Sequence, residues 1–351
     1  MIRLSEPQLT GNELNAINDV IVSGKYVMGE QNEKFEKEFA KACGFKHACA
    51  LSSGTAALHL ALITADVCHG DEVIVPAFGF VADSNVVEYV GAKPVFCDVD
   101  RRSGLMDVHL LRSLVTARTR AIIAVHLVGN IVDMDAVHEV AEEFALHVIE
   151  DCAQAAVKKP HKDTTSAIYS FFPSKNMSVL GYGGMLVTNY ESIKENCDIL
   201  RNAGRVGNQN LMLGYNYRLS EIHAAIGRLQ LKEVSKWNDK RKEIHAVYKR
   251  ILGCHLINYE PSLHTYALVY VMQFCRDNLV KHLVKKGIEC KSLYDYALDN
   301  SCSEAVLFSK CNVWLPCHAS LSVSDAEYIA KVVKKFIEGE CNGTICANEK
   351  M

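Results

Sequence analysis

Ile168-Tyr169-Ser170-Phe171-Phe172-Pro173-Ser174-Lys175-Asn176 is the stretch around which the rest of the chain is organised. An apolar run enters, a Ser-Phe pair follows, and Lys175 sits just beyond, ahead of Gly181, Gly183 and Gly184. A second apolar run, Met185-Leu186-Val187, comes after the glycines. The pattern predicts two strands joined by a tight connection that carries Lys175. A protonated lysine amine is a poor nucleophile. Partial burial or a cationic neighbour lowers its pKa, and the free amine then condenses with an aldehyde or ketone. A lone loop lysine is ordinarily just solvated, so Lys175 takes its meaning from the groups set beside it.

Upstream, Ala48-Cys49-Ala50-Leu51 leads into Ser52-Ser53-Gly54-Thr55 and then Ala56-Ala57-Leu58-His59-Leu60. This reads as strand, small polar turn and helix. Such a turn aims backbone N–H groups and a hydroxyl from the positive end of a helix, where a phosphate binds well. Alone it is also an ordinary helix cap. Further apolar runs, Val73–Val75, Pro94–Cys97, Ala121–Val125 and His147–Ile149, alternate with helical segments over 82–90, 107–116 and 135–145. Strands alternating with helices predict an α/β fold, a parallel or mostly parallel sheet covered on both faces. Ligands of such sheets gather at the carboxyl ends of strands, and Ser53, Phe80, His126 and Asp151 all fall there. Asp151 ends the strand His147-Val148-Ile149-Glu150, so its carboxylate is expected to be partly buried and needs a cationic or donor partner.

Downstream, a helix over 191–202 leads to Gly214-Tyr215-Asn216-Tyr217-Arg218-Leu219-Ser220. Ser220 caps a long helix to about Leu252, with Glu221 in its first turn. A smaller α+β domain follows, with a strand over 264–275, a helix over 278–286 capped by Asp277, a strand over Ile288–Ser292, and a last helix capped by Ser324. The expected organisation is a large domain over 1–235, which includes amphipathic helices over 10–24 and 32–43 and the start of the long helix, a small C-terminal domain over 236–340, and a disordered tail over 341–351.

The composition excludes several classes. The chain has 351 residues, 49% hydrophobic and 23% charged, with a net charge of −3 spread along its length. Nothing in it marks a nucleic-acid surface. No apolar stretch reaches the 18 or so residues of a membrane span, and the start soon turns polar, unlike a signal peptide. The expected location is the cytoplasm. The 14 cysteines include no C-x-x-C pair. Many, such as Cys49, Cys97 and Cys275, lie in apolar segments and read as reduced, packed thiols. No metal site is expected.

A turn suited to phosphate, an acid at a strand end and a loop lysine together match what pyridoxal 5'-phosphate needs. Its phosphate takes helix N–H groups and hydroxyls, its pyridine nitrogen an anion, and its aldehyde a lysine.

These residues lie in motifs that resemble the DegT/StrS family of sugar-nucleotide aminotransferases, which are fold-type-I pyridoxal phosphate enzymes. The motifs are Ser53-Gly54-Thr55-Ala56-Ala57-Leu58; Val125-His126-Leu127 with Gly129 and Asp133-Met134-Asp135; Glu150-Asp151-Cys152-Ala153-Gln154; Ser170-Phe171 with Lys175-Asn176; and Gly214-Tyr215-Asn216-Tyr217-Arg218. The resemblance runs from about Tyr26 to Phe336. It implies that Lys175 bonds the cofactor aldehyde, that Asp151 pairs with the pyridine nitrogen and that Gln154 lies near the ring hydroxyl. Gly54, Thr55 and Ser170 would hold the phosphate, and Phe80 would stack on the ring. Asn216 would reach the phosphate of the neighbouring subunit, which implies a homodimer with shared active sites. Tyr26 and Met28 stand where the family lines its sugar pocket, and Tyr182 lies close to the cofactor loop. His126 and Arg218 are expected to be structural. The chain departs from the family pattern at Gly79, where a threonine is frequent, and at Cys152, where alanine is common.

The implied reaction is transamination. L-glutamate leaves as 2-oxoglutarate, pyridoxamine 5'-phosphate carries the amine, and a nucleotide-linked keto-sugar receives it. A UDP- or dTDP-linked 4-keto-6-deoxyglucose giving a viosamine-type 4-amino sugar is the expected substrate, with a 3-keto sugar as the alternative. Relatives that remove a sugar hydroxyl carry histidine at the lysine position, so Lys175 argues against a dehydratase. A cofactor-sensing regulator would call for a basic or DNA-binding segment, and the sequence offers none.

Overall fold

Strands buried on both faces must be apolar on both faces, and the central runs of this chain are. Ala48 and Ala50 pack into one core cluster and Cys49 and Leu51 into another, and Ala167 and Ile168 divide in the same way. The computed structural model describes residues 1–257, 266–271, 273–292 and 294–340. Its elements begin with α1 (Glu13–Ser23), α2 (Glu30–Cys43), β1 (His47–Leu51), α3 (Gly54–Thr64), β2 (Glu72–Pro76), α4 (Ala82–Tyr89) and β3 (Lys93–Cys97). They continue with α5 (Leu111–Leu114), β4 (Thr119–Val125), α6 (Met134–Phe144), β5 (His147–Asp151), β6 (Ser166–Ser170), β7 (Gly184–Thr188) and α7 (Glu191–Arg201). The remainder are β8 (Arg205–Val206), β9 (Gln209–Asn210), α8 (Glu221–Leu252), β10 (Ala267–Tyr270), α9 (Gln273–Lys285), α10 (Ser303–Cys311), β11 (Asn312–Leu315) and α11 (Val323–Glu340).

A seven-stranded sheet has the order β1-β7-β6-β5-β4-β2-β3. β7 runs antiparallel to both neighbours, and the other pairings are parallel. The sheet is thus mostly parallel and mixed, with helices on both faces. α3 is apolar nearly all round because it is buried between the sheet and α4 and α7. On the other face, Phe35 and Phe39 of α2 pack edge-on or tilted against Tyr169 and Phe171, with ring centroids 4.9–5.4 Å apart. A second cluster joins the far half of α8 to β10, β11, α9 and α11.

Glu221 fixes the start of α8. It is buried, and its carboxylate accepts from the amides of Gly29, Gln31 and Asn32 and from the Asn32 side chain. An acid expected to serve its own helix therefore caps α2 as well. Ser220 caps α8, its hydroxyl accepting from the His223 amide.

Several local expectations are corrected. The link between β6 and β7 is not tight: Phe171–Gly183 forms a long loop, held where Phe171 N–H donates to Gly183 and Val179 N–H to Phe171. Over 107–116 there is a single 3-10 turn and the short α5, because Asp107 caps at once and Val115 is extended. The strand expected over 264–275 is β10 alone among the described residues, and α9 already begins at Gln273. Asp277 is therefore inside a helix, paired with Arg276, and caps nothing. Ile288–Ser292 makes only isolated bridges, Ile288 to Ile2 and Lys291 to Trp314. Ser322, not Ser324, caps α11 by accepting from the Asp325 amide. Cys254 and Cys275 are disulfide-bonded, against the expectation of reduced thiols. The tail over 341–351 lies outside the described residues. Among the described residues no helix is long and apolar enough to cross a membrane.

Candidate active site

The carboxyl ends of the parallel strands open into a cavity of about 740 Å³. Ser53, Gly54 and Thr55 line it from the β1–α3 turn, Phe80 and Asp83 from the segment after β2, Asp151 and Gln154 from the end of β5, and Ser170 and Lys175 from β6 and its loop. Tyr182 closes one side. Tyr266, Glu289, Lys291, Tyr294 and Trp314 from the C-terminal half form the wall opposite.

The turn at Ser53 is built for close approach. The Ser53 hydroxyl accepts from the Ala56 amide at 3.0 Å and starts α3. A Cβ on Gly54 would stand 3.0 Å from Ser170 Cβ, and one on Gly184 would stand 2.3 Å from the Ser53 carbonyl oxygen. The two glycines therefore let the turn rest directly on β6 and β7. Among the described residues, neither the Gly54 and Thr55 amides nor the Thr55 and Ser170 hydroxyls have a hydrogen-bond partner. Four donors converge at the positive end of a helix, which is a cradle for an anion.

Lys175 is held from behind by α8. Arg241 is buried, and it donates from Nη2 to the Asn176 carbonyl at 3.1 Å and from Nη1 to Asn238 Oδ1 at 3.1 Å. Asn176 Nδ2 also donates to Asn238 Oδ1, and the Ser178 amide to Gln230 Oε1. Met177 and Val179 are fully buried beside them. The amine of Lys175 has no hydrogen bond or ion pair among the described residues. Enclosure of the amine pushes its pKa below the ordinary lysine value, while Asp151 and Asp83 pull the other way. An amine so placed is nearer to its nucleophilic form.

Asp151 is buried, and its Oδ1 accepts from the Ala153 amide at 2.7 Å. Gln154 is tethered at both ends: Oε1 accepts from the Val128 amide at 2.7 Å, and Nε2 donates to the Tyr294 hydroxyl at 3.2 Å. Phe80 is half exposed, with its ring 6.2 Å from that of Tyr294. Tyr182 is 70% exposed, leaning against Phe172 at the mouth.

His126 also reaches the cavity wall, but its nitrogens are engaged. Nδ1 accepts from the Val132 amide, so Nε2 carries the proton and donates to Glu150 at 2.8 Å. Burial keeps the imidazole neutral by lowering its pKa. Glu150 is buried, which alone would raise its pKa, yet His126 and Lys158 hold it far below the usual carboxylate range. It also accepts from the His161 amide and the Thr164 hydroxyl. His126, Glu150 and Cys152 stand close enough to share a metal ion, but a carboxylate with four donors is a satisfied structural hub.

Three residues singled out in the sequence stand apart from the cavity within one chain. Asn216 accepts from Arg218 Nη2 at 2.7 Å, and Arg218 Nη1 reaches Asn202, so Arg218 braces this loop. Tyr26 and Met28 are exposed. The sequence reading missed Asp83 and the whole C-terminal wall. Asp83 lies three residues after Phe80 in the first turn of α4, where an acid looks like a helix-end charge. The tyrosines and Trp314 carry no local signal, since folding alone brings them over the strand ends.

The chain matches the DegT/DnrJ/EryC1/StrS aminotransferase family over residues 7–334. It is 33% identical to the GDP-perosamine synthase of Escherichia coli O157:H7, covering 95% of this chain and 98% of that protein. It is 36% identical to the dTDP-3-amino-3,4,6-trideoxy-alpha-D-glucose transaminase of Streptomyces venezuelae, over 80% of this chain and 76% of that one. The crystal structure of S. venezuelae DesV in complex with a ketimine intermediate superposes with a TM-score of 0.90 at 32% identity, covering 93% of this chain and 95% of that one.

Proposed function

Because this chain belongs to the DegT/DnrJ/EryC1/StrS aminotransferase family, we propose that it moves an amino group from L-glutamate to a nucleotide-linked keto-sugar. Its fold is that of the type I pyridoxal phosphate aminotransferases, and pyridoxal 5'-phosphate is the cofactor. When bound, that group supplies an aldehyde that exchanges amines and a ring that accepts electrons. The residues present fit it: Gly54, Thr55 and Ser170, with four donors that have no partner among the described residues, line the cavity beside the start of α3, and a lysine amine and a buried carboxylate line the same cavity. That juxtaposition is the observation that carries the reading.

In this reading Gly54, Thr55 and Ser170 bind the phosphate through amides and hydroxyls. Asp151 holds the proton on the ring nitrogen, and the Ala153 amide fixes the orientation of its carboxylate. Phe80 covers one ring face, and Gln154, tethered to Val128 and Tyr294, stands near the ring hydroxyl. The Lys175 amine would bond the aldehyde, and once the donor's own amine displaced it there, the freed amine would move a proton between the donor's Cα and the former aldehyde carbon. Its lowered pKa suits both roles. Asn216 completes the phosphate site of a second copy, in a cytoplasmic homodimer with shared sites. Tyr26, Met28 and Tyr182 line the sugar side. Residues 1–235 form the cofactor-binding domain and 236–340 the smaller one.

The acceptor we favour is a UDP- or dTDP-linked 4-keto-6-deoxyglucose, giving the 4-amino sugar. The name of the 36%-identical relative, with its 3-amino product, supports a 3-keto sugar as the second reading. The test is a panel of UDP-, dTDP- and GDP-linked keto-sugars with glutamate, products identified by mass and NMR. The amine should appear at C4 of a UDP- or dTDP-linked sugar. Amination at C3 moves the assignment to the second reading, and amination of none overturns the reading.

A further inference from the structure

Asp83 has no ordinary structural task. It sits in the first turn of α4, yet its side chain caps no amide of that helix. It is 1% exposed, and its Oδ1 is buried with no hydrogen-bond partner among the described residues. Its carboxyl group is a close enough neighbour of Asp151 for that residue's charge to push its pKa up, and both are buried and line the cavity that holds Lys175. Two carboxyl groups in contact away from water cannot both be ionised at low cost.

We propose that Asp83 and Asp151 hold one proton between them, with Asp83 as the positioning residue that donates it and Asp151 as the singly charged acceptor. This rests on the cofactor reading above for its consequence, but not for the proton itself. No bond other than the O–H···O contact is made or broken. The donated proton and the Ala153 amide then fix the Asp151 carboxylate from two sides, so that its charge is presented to the ring nitrogen in one orientation.

The charges around Asp83 support a neutral acid. Asp151 faces it from the end of β5, Lys175 from the lysine loop, and Tyr294 and Tyr296 from the C-terminal wall. The two phenols are held above the ordinary tyrosine pKa by burial, so they bring no charge at neutral pH. One cation therefore faces two acids. Burial first, then the Asp151 charge, pushes the Asp83 carboxyl well above its ordinary value, with Lys175 opposing. With pyridoxal phosphate held there, Asp151 would carry the single negative charge toward the ring nitrogen and Asp83 would stay neutral. Such an arrangement ties the charge of the ring to the state of Asp83.

The test reads the proton directly. Infrared difference spectra of the cofactor-loaded protein at neutral pH should show a protonated-carboxyl C=O band that Asp83→Asn removes. The pH midpoint of the bound cofactor's absorbance should shift by roughly one unit in Asp83→Ala. It should shift less in Asp83→Asn, whose amide still donates. Should Asp83→Asn fail to fold, carbon-13 NMR of aspartate-labelled wild type gives the same reading: one carboxyl carbon stays at its protonated position at neutral pH. A wild type with every aspartate ionised overturns the proposal. A protein that shows the neutral carboxyl yet takes up no pyridoxal phosphate counts against the cofactor reading and leaves the shared proton standing.

Discussion

Arg241 and Asn176 join the long helix α8 to the lysine loop: the guanidinium Nη2 donates to the Asn176 carbonyl at 3.1 Å, one residue from Lys175. The guanidinium is buried with no carboxylate partner among the described residues, and that burial lowers its pKa to about 10. Its donors instead satisfy a carbonyl and the Asn238 amide oxygen. Arg241→Met should keep the helix packed but leave the loop carbonyl unpaired. The expected loss is about 1.5–3 kcal/mol of stability, from hydrogen bonds to a charged group. Denaturant unfolding of the two proteins checks it, and an unchanged midpoint would mean that the loop is held by Met177 and Val179 alone.

The Glu150 hub predicts a pH dependence. Its folded pKa lies far below the unfolded value because His126 and Lys158 stabilise the anion. Such a group contributes stability that is present above the unfolded pKa of about 4.5 and is lost as pH falls through the folded value. Glu150→Gln should therefore be less stable than wild type by about 3–5 kcal/mol at neutral pH, as expected when a buried pair is broken. The gap should narrow steadily below pH of about 4.5. Thermal melts across that range are the check, and a gap that stays constant into acid would remove Glu150 from the account of acid stability.

The alternation of strands and helices was legible because each buried strand is a short apolar run that ends in the polar residue it delivers. Val125-His126 and Ile149-Glu150-Asp151 show this directly. Lys175, Asp151 and the Ser53 turn stood out for the same reason. The connection before β7 was read as tight because the glycines there resemble a turn, whereas Gly184 lets the Ser53 turn lie on the sheet and Gly181 and Gly183 pack against His223 and Val179. Asp83 was hidden because its meaning depends on contact with Asp151, across the sheet from β2 to β5 and not along the chain. The C-terminal wall was hidden likewise: Tyr294 has a positive φ of 55° and belongs to no strand or helix, so no period announces it.

Asp151→Asn should preserve the shape of the site, since an amide oxygen can still accept from Ala153. It removes the anion that keeps the ring nitrogen protonated. Turnover should fall by about 100-fold or more, the scale of losing one preorganised charge partner. Steady-state kinetics of the two proteins decide it, and near-normal turnover would assign the ring nitrogen to another acid, with Asp83 the first to examine.

Asn216 lies outside the cavity of its own chain and is held by Arg218. If it serves the neighbouring site, Asn216→Ala should weaken cofactor binding by about 1–3 kcal/mol. Co-expression with Lys175→Ala chains should then restore activity, because a mixed dimer has one site with both residues intact. Activity of the mixture is compared with each homodimer at limiting cofactor. No gain over Asn216→Ala alone, with mixed dimers confirmed by mass, would return Asn216 to its own chain.

The central claim is that the enclosed amine of Lys175 bonds the cofactor aldehyde. Borohydride reduction of the pyridoxal-phosphate-loaded protein, followed by proteolysis and mass spectrometry, reads that bond directly. The account predicts a phosphopyridoxyl group on the peptide that contains Lys175, and none in a folded Lys175→Ala variant that still binds the cofactor without a covalent link. A reduced adduct on a different lysine, or one that persists in Lys175→Ala, would contradict it.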